Sequence, residues 1–398
     1  MRYRLTPWWL RVVAVFALSR VVTTTILLVA ASLQDANPWT GAQPGYLDFA
    51  TMWDGHWYYI IAVSAYPSEL PIDAEGHVGE NAWAFMPVYP MLVRALMLIT
   101  GGSFALLAVV VSVVAALGAA LLFFRLMREV LPREAVMFSV VVFCFGPLSP
   151  ILQVAYAESL HLLLLVLGLW LLVRRNYWML LPVVLVMSLT RPSGLAFGLL
   201  LLLHLVARFV TRARDPFPLR ERVAVVVVGL WTAFCGLAWL LAAAVGTGSL
   251  TAYTDTELAW RSVYIGRGEL VPFTPWFESG QWWFWFLGVP REIAGWMGAL
   301  AVVLLVAVFA LVMISAPVRR LGTDLRLWLL SYALYLLAVF FPQSSTFRLL
   351  VPMFPLAGAL AIPRSPVYRV TLVLVMVALQ VWWVDIGWRV DGADWTPP

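Results

Sequence analysis

VVAVFALSRVVTTTILLVAASL, running from Val12 to Leu33, decides the class of this chain. A single charge, Arg20, interrupts it. As a helix rising about 1.5 Å per residue, the stretch is long enough to cross a hydrocarbon core of roughly 30 Å. It is too long for the apolar region of a secretion signal, so a membrane span without secretory cleavage is expected, with no lipidation motif and no long disordered tail. Runs like it recur along the sequence. Of the 398 residues, 63% are hydrophobic and 12% charged, whereas ordinary globular chains are roughly 45–50% apolar. A soluble fold must show water a largely polar exterior, and this chain lacks the polar residues to build one. The expected class is an all-α polytopic membrane protein. Cys144 and Cys235 both fall within apolar runs, which argues against a disulfide framework and against a cysteine metal site.

Runs suited to a span of about 20 residues lie near 10–32, 103–126, 134–150, 153–173, 177–190, 194–210, 223–246, 294–316, 325–342, 347–363 and 366–386, eleven in all. A further stretch, Ala84 to Ile99, is short and holds Pro87, Pro90 and Arg94. It reads as a helix lying in the interface or re-entering the membrane. The arginines, which make up all 26 basic residues, test this count. With Arg2, Arg4 and Arg11 in the cytoplasm, eleven spans place Arg125–Arg128–Arg133, Arg174–Arg175, Arg208–Arg212–Arg214–Arg220–Arg222, Arg319–Arg320–Arg326 and Arg364–Arg369 on that same side. The positive-inside rule requires this, and a twelfth span would reverse every cluster after it. Residues 1–398 then form one transmembrane unit with two long extracytoplasmic segments, 34–102 with interfacial helices and 246–293. Both are rich in Trp and Tyr, residues of the headgroup zone, and Gln281 to Phe286 (QWWFWF) should lie on the membrane. The chain shows no internal repeat, low-complexity tract or separate soluble domain.

The strongest chemical signal is in the first outer segment, Tyr46 to Tyr59 (YLDFATMWDGHWYY), where Asp48 and Asp54 stand among aromatic residues. A partly desolvated carboxylate within reach of substrate is a candidate general base; the competing reading is an Asp capping a helix that starts near Gly55. Tyr156-Ala157-Glu158-Ser159 opens the fourth span at its outer end, where Glu158 either serves the helix dipole or needs a partner. Arg191, in the turn Thr190-Arg191-Pro192-Ser193-Gly194, and Arg348, after Ser344-Ser345-Thr346-Phe347, oppose the positive-inside bias. Binding a phosphate would explain them, since a guanidinium fork fits phosphate oxygens; so would pairing with Glu158 or another acid. Arg20, inside the first span, is a functional candidate by position, but a structural role, reaching the interface or pairing with a neighbouring helix, is favoured. Arg261 and Arg267 are headgroup or acceptor candidates.

Other chemistries are excluded or weak. Gly266-Arg267-Gly268 lacks the strand and helix of a nucleotide loop. His56, His77, His161 and His204 show no metal-ligand spacing, and His161 and His204, inside spans, are expected to hydrogen-bond neighbouring helices. The polar candidates face outward, which fits poorly with a soluble cytoplasmic sugar nucleotide.

Several of these elements, in order, resemble one family. Trp53-Asp54-Gly55-His56-Trp57-Tyr58, Ala65-Tyr66-Pro67 and Ala84-Phe85-Met86-Pro87-Val88-Tyr89-Pro90 are similar to the first-loop signature of the PIG-V mannosyltransferases. Ala155-Tyr156-Ala157-Glu158-Ser159-Leu160 resembles that family's Tyr-Thr/Ser-Glu-Ser-Leu segment, Thr190 to Gly194 its Arg-Ser/Pro-Asn/Ser-Gly segment, and Phe347-Arg348 with Pro352 its C-terminal Arg and Pro element. The matches run from Ser19-Arg20 to about Pro355. Met86 stands where the family usually has Phe, and Gly55-His56 replace the Asp-Ala of eukaryotic members, so the chain resembles a bacterial relative whose acceptor need not be a glycosylphosphatidylinositol.

The resemblance implies a C-type glycosyltransferase (GT-C) fold in the plasma membrane, with its catalytic loops outside. It also implies a polyprenyl-phosphate-mannose donor and a glycolipid or lipoglycan acceptor, with no cofactor, nucleotide or nucleic acid. Inverting transfer needs a base for the acceptor hydroxyl, and the lipid-phosphate leaving group needs positive charge more than a proton. Asp54 is assigned as base and Asp48 as the reserve base. Arg191 and Arg348 are assigned to the phosphate, and Glu158 with Tyr156 to orienting the sugar or an arginine. Trp53, His56, Trp57, Tyr58 and Tyr89 complete the substrate-binding set. A transporter or flippase of a lipid-linked sugar is the main alternative, but should show repeats and broken helices at midplane. A receptor or scaffold leaves the four outward charges unexplained, and transfer of another polyprenyl-linked sugar, such as arabinose, stays open.

Overall fold

The computed structural model describes residues 6–390 of the chain; Arg2 and Arg4 lie outside the described residues. Helices account for most of it. In chain order they are α1 (Trp8–Ser32), α2 (Tyr46–Ala50), α3 (Asp54–Ser64), α4 (Val88–Thr100), α5 (Phe104–Val130), α6 (Arg133–Phe145), α7 (Glu158–Val173), α8 (Leu180–Ser188), α9 (Gly194–Thr211), α10 (Leu219–Thr247), α11 (Ala252–Ile265), α12 (Pro275–Phe286), α13 (Arg291–Ile314), α14 (Ala316–Arg319), α15 (Gly322–Val339), α16 (Leu356–Leu360) and α17 (Pro366–Trp383). No strand forms among the described residues beyond one isolated antiparallel bridge, Ile72 to Val78. Among the described residues, six helices are long and apolar enough to cross a membrane, α1, α5, α9, α10, α13 and α17 with its continuation to Trp388. This is an all-α membrane protein. Large apolar side chains on α13, such as Trp296, Leu300 and Val303, face outward, as they must where lipid is the solvent.

Ten of the eleven apolar runs carry α-helix over much of their length. The run at 347–363 does not. It consists of a 3₁₀ segment, Arg348–Met353, followed by the five-residue α16. Pro352 lies inside the 3₁₀ segment and Pro355 precedes α16. Proline lacks the amide proton of an α-helical bond and clashes with the preceding turn, so the chain runs there as 3₁₀ turns and a short helix instead of one α-helix. Ala84 ends a short 3₁₀ turn, Ala82–Ala84, and most of the stretch to Ile99 lies in the 13-residue α4.

Small residues let the helices approach. On α5, Ala108, Ser112, Ala115, Ala116, Ala119 and Ala120 form a buried face, and Leu163 of α7 packs 3.1 Å from where a Cβ on Gly118 would sit. α9 and α10 meet still more closely: a Cβ on Gly194 would lie 2.7 Å from the Gly236 Cα, and one on Gly236 2.8 Å from the Leu195 amide nitrogen. Association between apolar helices in lipid depends on such packing, because burial of apolar surface from lipid supplies little drive.

The two ends of the bundle differ. At one, salt bridges join connections distant in sequence, Arg174 to Glu129 at 3.2 Å and Arg364 to Glu134, and Arg208 closes the α9–α10 connection through Asp215 at 3.0 Å and Glu221 at 2.9 Å. Arg174 follows the last residue of α7, whereas Glu158 begins that helix. Sixteen residues of helix hold the two about 24 Å apart. The end marked by Glu158 also gathers α2, α3, the turn before α9 and the 3₁₀ segment at Arg348.

Gly236→Leu should force α9 away from α10 and disturb the turn that carries Arg191. Overpacking of this kind costs about 1–3 kcal/mol. The expected outcome is a lower thermal midpoint for detergent-purified protein, while Gly198→Ala, where the nearest atom is 3.8 Å from the added Cβ, leaves the midpoint nearly unchanged.

Candidate active site

α3 starts from a strained turn. The Gly55 amide donates to the Met52 carbonyl at 3.1 Å, closing a turn in which Trp53 has φ 59° and ψ −124°. That conformation belongs to the first central position of a type II′ turn, where glycine is usual. A non-glycine residue held there stores of order 1–3 kcal/mol. Trp53 is held by its surroundings: its indole N–H donates to the Trp388 carbonyl at 2.8 Å, and the Trp388 indole donates to the Phe49 carbonyl at 2.9 Å. The turn sets Asp54 at the first position of α3, with its backbone N–H donating to the Tyr156 hydroxyl at 3.2 Å. α3 has no side-chain cap hydrogen bond. Asp54 therefore does not cap the helix, and its carboxylate is left to other partners.

Those partners are Arg191 and Arg348, the two arginines expected on the outer side. Arg348 donates to Asp54 Oδ2 and lies 3.8 Å from Glu158 Oε1. Arg191 lies 3.2 Å from Glu158 Oε1 and 3.9 Å from Asp54 Oδ2. Two carboxylates and two guanidiniums thus form one neutral cluster drawn from four segments of the chain. All four are sheltered, with Asp54 5% and Glu158 4% exposed. The pairing that competed with phosphate binding as a reason for the outward arginines is present. Glu158 is paired but not saturated: neither carboxylate oxygen accepts a hydrogen bond, although Arg191 Nη2 is near enough, because the guanidinium N–H does not point at it.

Each arginine is positioned by local structure. The Arg191 amide bonds back to Met187 at 3.2 Å, and Ser193, two residues on, bonds His161 Nε2 at 2.7 Å. Arg348 opens the 3₁₀ segment, which Trp328 and Tyr332 of α15 anchor by donating to the carbonyls of Pro352 at 2.8 Å and Leu349 at 2.7 Å. The Arg348 guanidinium lies 5.3 Å from the centre of the Tyr156 ring, within range of a cation–π attraction. Tyr58 accepts a long hydrogen bond from Arg191 at 3.5 Å.

Asp54, Tyr58, Glu158, Arg191 and Arg348 line one cavity of about 390 Å³. Arg261 and His161 line the same cavity, and the remaining sequence candidates lie elsewhere. Trp57 stacks on Phe85, Tyr89 bonds the Ala108 carbonyl at 2.9 Å and Ser112 at 3.0 Å, and Tyr156 and Trp53 support Asp54 from behind. Asp48 and His56 line a separate open groove with Trp39 and Tyr59. His204 bonds Tyr177 at 3.1 Å and Asp324 at 2.7 Å. Arg20 donates to the Ser149 carbonyl at 3.0 Å and that of Cys144 at 3.2 Å, a tie between helices. Arg267 bonds Asp73 at 2.7 Å, joining the two long segments, and Arg261 bonds the Val339 carbonyl. Reading the sequence missed Tyr253, Glu257, Tyr332, Tyr335 and Gln343, all on the cavity wall. The spacing of Tyr253, Glu257 and Arg261 on an amphipathic helix was the available signal. No group of three or more His, Cys, Asp and Glu side chains suited to a metal occurs among the described residues.

Comparison with protein-family descriptions and with curated proteins finds no match. Among solved structures, the chain is similar to an oligosaccharyltransferase of Archaeoglobus fulgidus. Its complex with zinc and sulfate aligns with a TM-score of 0.46 and 14% identity over 91% of this chain and 52% of that one. Its apo form aligns at 0.45 and 13%, over 96% and 56%. A structure of AglB from the same organism, with an inhibitory peptide and a dolichol-phosphate, aligns at 0.44 and 12%, over 92% and 55%. The chain thus spans about half the length of these neighbours.

Arg348→Leu should leave the Asp54 carboxylate buried without its nearest cation. Breaking a buried pair costs about 3–5 kcal/mol, somewhat less here because Arg191 stands 3.9 Å away. Asp54→Asn in the same chain should recover part of the loss. Thermal or denaturant unfolding of the two single variants and the double variant measures this; strictly additive losses would show the two residues uncoupled.

Proposed function

We propose that this membrane protein is a C-type glycosyltransferase of PIG-V character. It moves mannose from polyprenyl-phosphate-mannose to a glycolipid or lipoglycan on the extracytoplasmic face of the plasma membrane, with inversion at the anomeric carbon. The observation that carries this reading is the cavity that holds Asp54 and Glu158 beside Arg191 and Arg348. Buried ion pairs contribute little net stability, so a four-membered cluster on the wall of a cavity calls for a reason beyond stability. Arginine-rich connections at the other end of the bundle favour an orientation with the cavity outside.

The chemistry follows from exchange of partners. At rest, Arg348 is bound to Asp54. The donor phosphate competes for both guanidiniums and relieves the Asp54 carboxylate of its cation, which makes it the stronger base. The acceptor hydroxyl then gives its proton to Asp54 while its oxygen bonds to the anomeric carbon. The bond from that carbon to the phosphate oxygen breaks, and the electron pair leaves on the phosphate, where Arg348 and Arg191 offset the charge. Glu158 holds Arg191 in place, and its buried oxygens, which accept no hydrogen bond, keep the capacity to accept one. The phosphate is already acidic, so the second carboxylate need not be an acid. Asp48, in the separate groove, becomes the base only if Asp54 is dispensable.

The test uses purified protein in lipid, radiolabelled polyprenyl-phosphate-mannose and a lipid extract of the source organism. Asp54→Asn should lower transfer by roughly 10²–10⁴-fold while donor binding survives. Transfer unaffected by that change would move the base to Asp48 or Glu158. Binding and release of donor across the membrane without transfer would identify a flippase instead.

A further inference from the structure

The cavity has another polar wall, which the transfer chemistry leaves unused. α11 supplies most of it. Tyr253, Glu257 and Arg261 recur every fourth residue and so share one face, Trp260 stands beside them, and Tyr335 reaches in from α15; all five line the same cavity as Asp54 and Arg348. α11 is not one of the apolar spans, yet Glu257 is sheltered enough that burial pushes its carboxyl above the usual range, although hydrogen bonding with Tyr253 and the charge of Arg261 act the other way. Arg261 itself directs a guanidinium nitrogen to the Val339 carbonyl.

A half-buried carboxyl on a cavity wall, flanked by phenols and an indole, has a definite taste in ligands. It repels an anion, and a carboxyl with two phenols can both accept and donate hydrogen bonds to neighbouring hydroxyls. The indole and phenol rings supply flat apolar surface to a sugar ring. The Arg191–Arg348 end of the cavity favours an anion. One cavity therefore runs from a phosphate-favouring end to a hydroxyl-favouring wall, the same polarity as a sugar joined to a phosphate. Hydroxyls read by buried polar groups are discriminated strongly, because a missing partner leaves those groups unpaired.

We infer that Glu257, with Tyr253 and Tyr335, forms the subsite that holds the ring hydroxyls of the donor's sugar and sets which sugar is accepted. This rests on the glycosyl-transfer reading above and deepens it.

The experiment measures binding of two probes, polyprenyl phosphate and polyprenyl-phosphate-mannose, to the full chain in lipid nanodiscs. Arg348→Gln should weaken both. Glu257→Gln and Tyr335→Phe should weaken the mannosylated probe about tenfold, the loss of one hydrogen bond to a buried group, and leave the bare phosphate within about twofold. Tyr335→Phe removes a single hydroxyl and carries the test if the Glu257 variant does not fold. Equal weakening of both probes, or of neither, overturns the assignment. Unchanged binding of the mannosylated probe with a raised KM for acceptor gives the wall to the acceptor and also overturns it. If wild type binds neither probe, the transfer reading itself falls, and the subsite with it.

Discussion

Four charges buried at one end of an apolar bundle set the terms for everything around them. Asp54, Glu158, Arg191 and Arg348 are each costly to bury alone, and together they are neutral. The cluster exists only when α3, α7, the turn before α9 and the 3₁₀ segment at Arg348 converge. Each of these segments is fixed by contacts that do not involve charge. Trp328, Tyr332, Trp53 and Trp388 all donate to backbone carbonyls near the cluster, using indole and phenol groups to satisfy backbone that regular helix leaves open.

The same constraint explains the irregular backbone. A regular α-helix at 347–363 would bond its backbone internally, whereas the proline-bearing 3₁₀ segment that Arg348 opens is pinned by α15 through its carbonyls. The positive φ of Trp53 serves Asp54 in the same way, placing a carboxylate at the first position of a helix without a capping bond. Strain of this kind persists only where neighbours over-determine it, and Trp53 is 3% exposed with its indole bonded. Glycines on α9 and α10 do the complementary work in the bundle, letting the two helices close on the turn that presents Arg191.

Much of the fold was legible because hydropathy is a one-dimensional signal: the long apolar runs at 10–32, 103–126, 223–246 and 294–316 became helices near where they were expected. The run at 347–363 looked equivalent by hydropathy, and its two prolines outweighed its apolar content. At the site, Asp54, Glu158, Arg191 and Arg348 stood out because charge at the outer end of an apolar span needs a reason. Which of Asp48 and Asp54 joins the arginines was not legible, since the turn at 52–55 decides it and depends on Trp388, more than 330 residues away. Glu257 was missed because its segment reads as an aromatic loop, and only the four-residue spacing of Tyr253, Glu257 and Arg261 along what is a helix marks a shared face.

The most direct measurement is an experimental structure of the protein in lipid with polyprenyl phosphate bound. The account predicts the phosphate within hydrogen-bond reach of both Arg191 and Arg348, with Asp54 no longer bound to Arg348 and its carboxylate open to the cavity. A phosphate seated in the groove of Trp39, Asp48 and His56, with the Asp54–Arg348 pair intact, would contradict it.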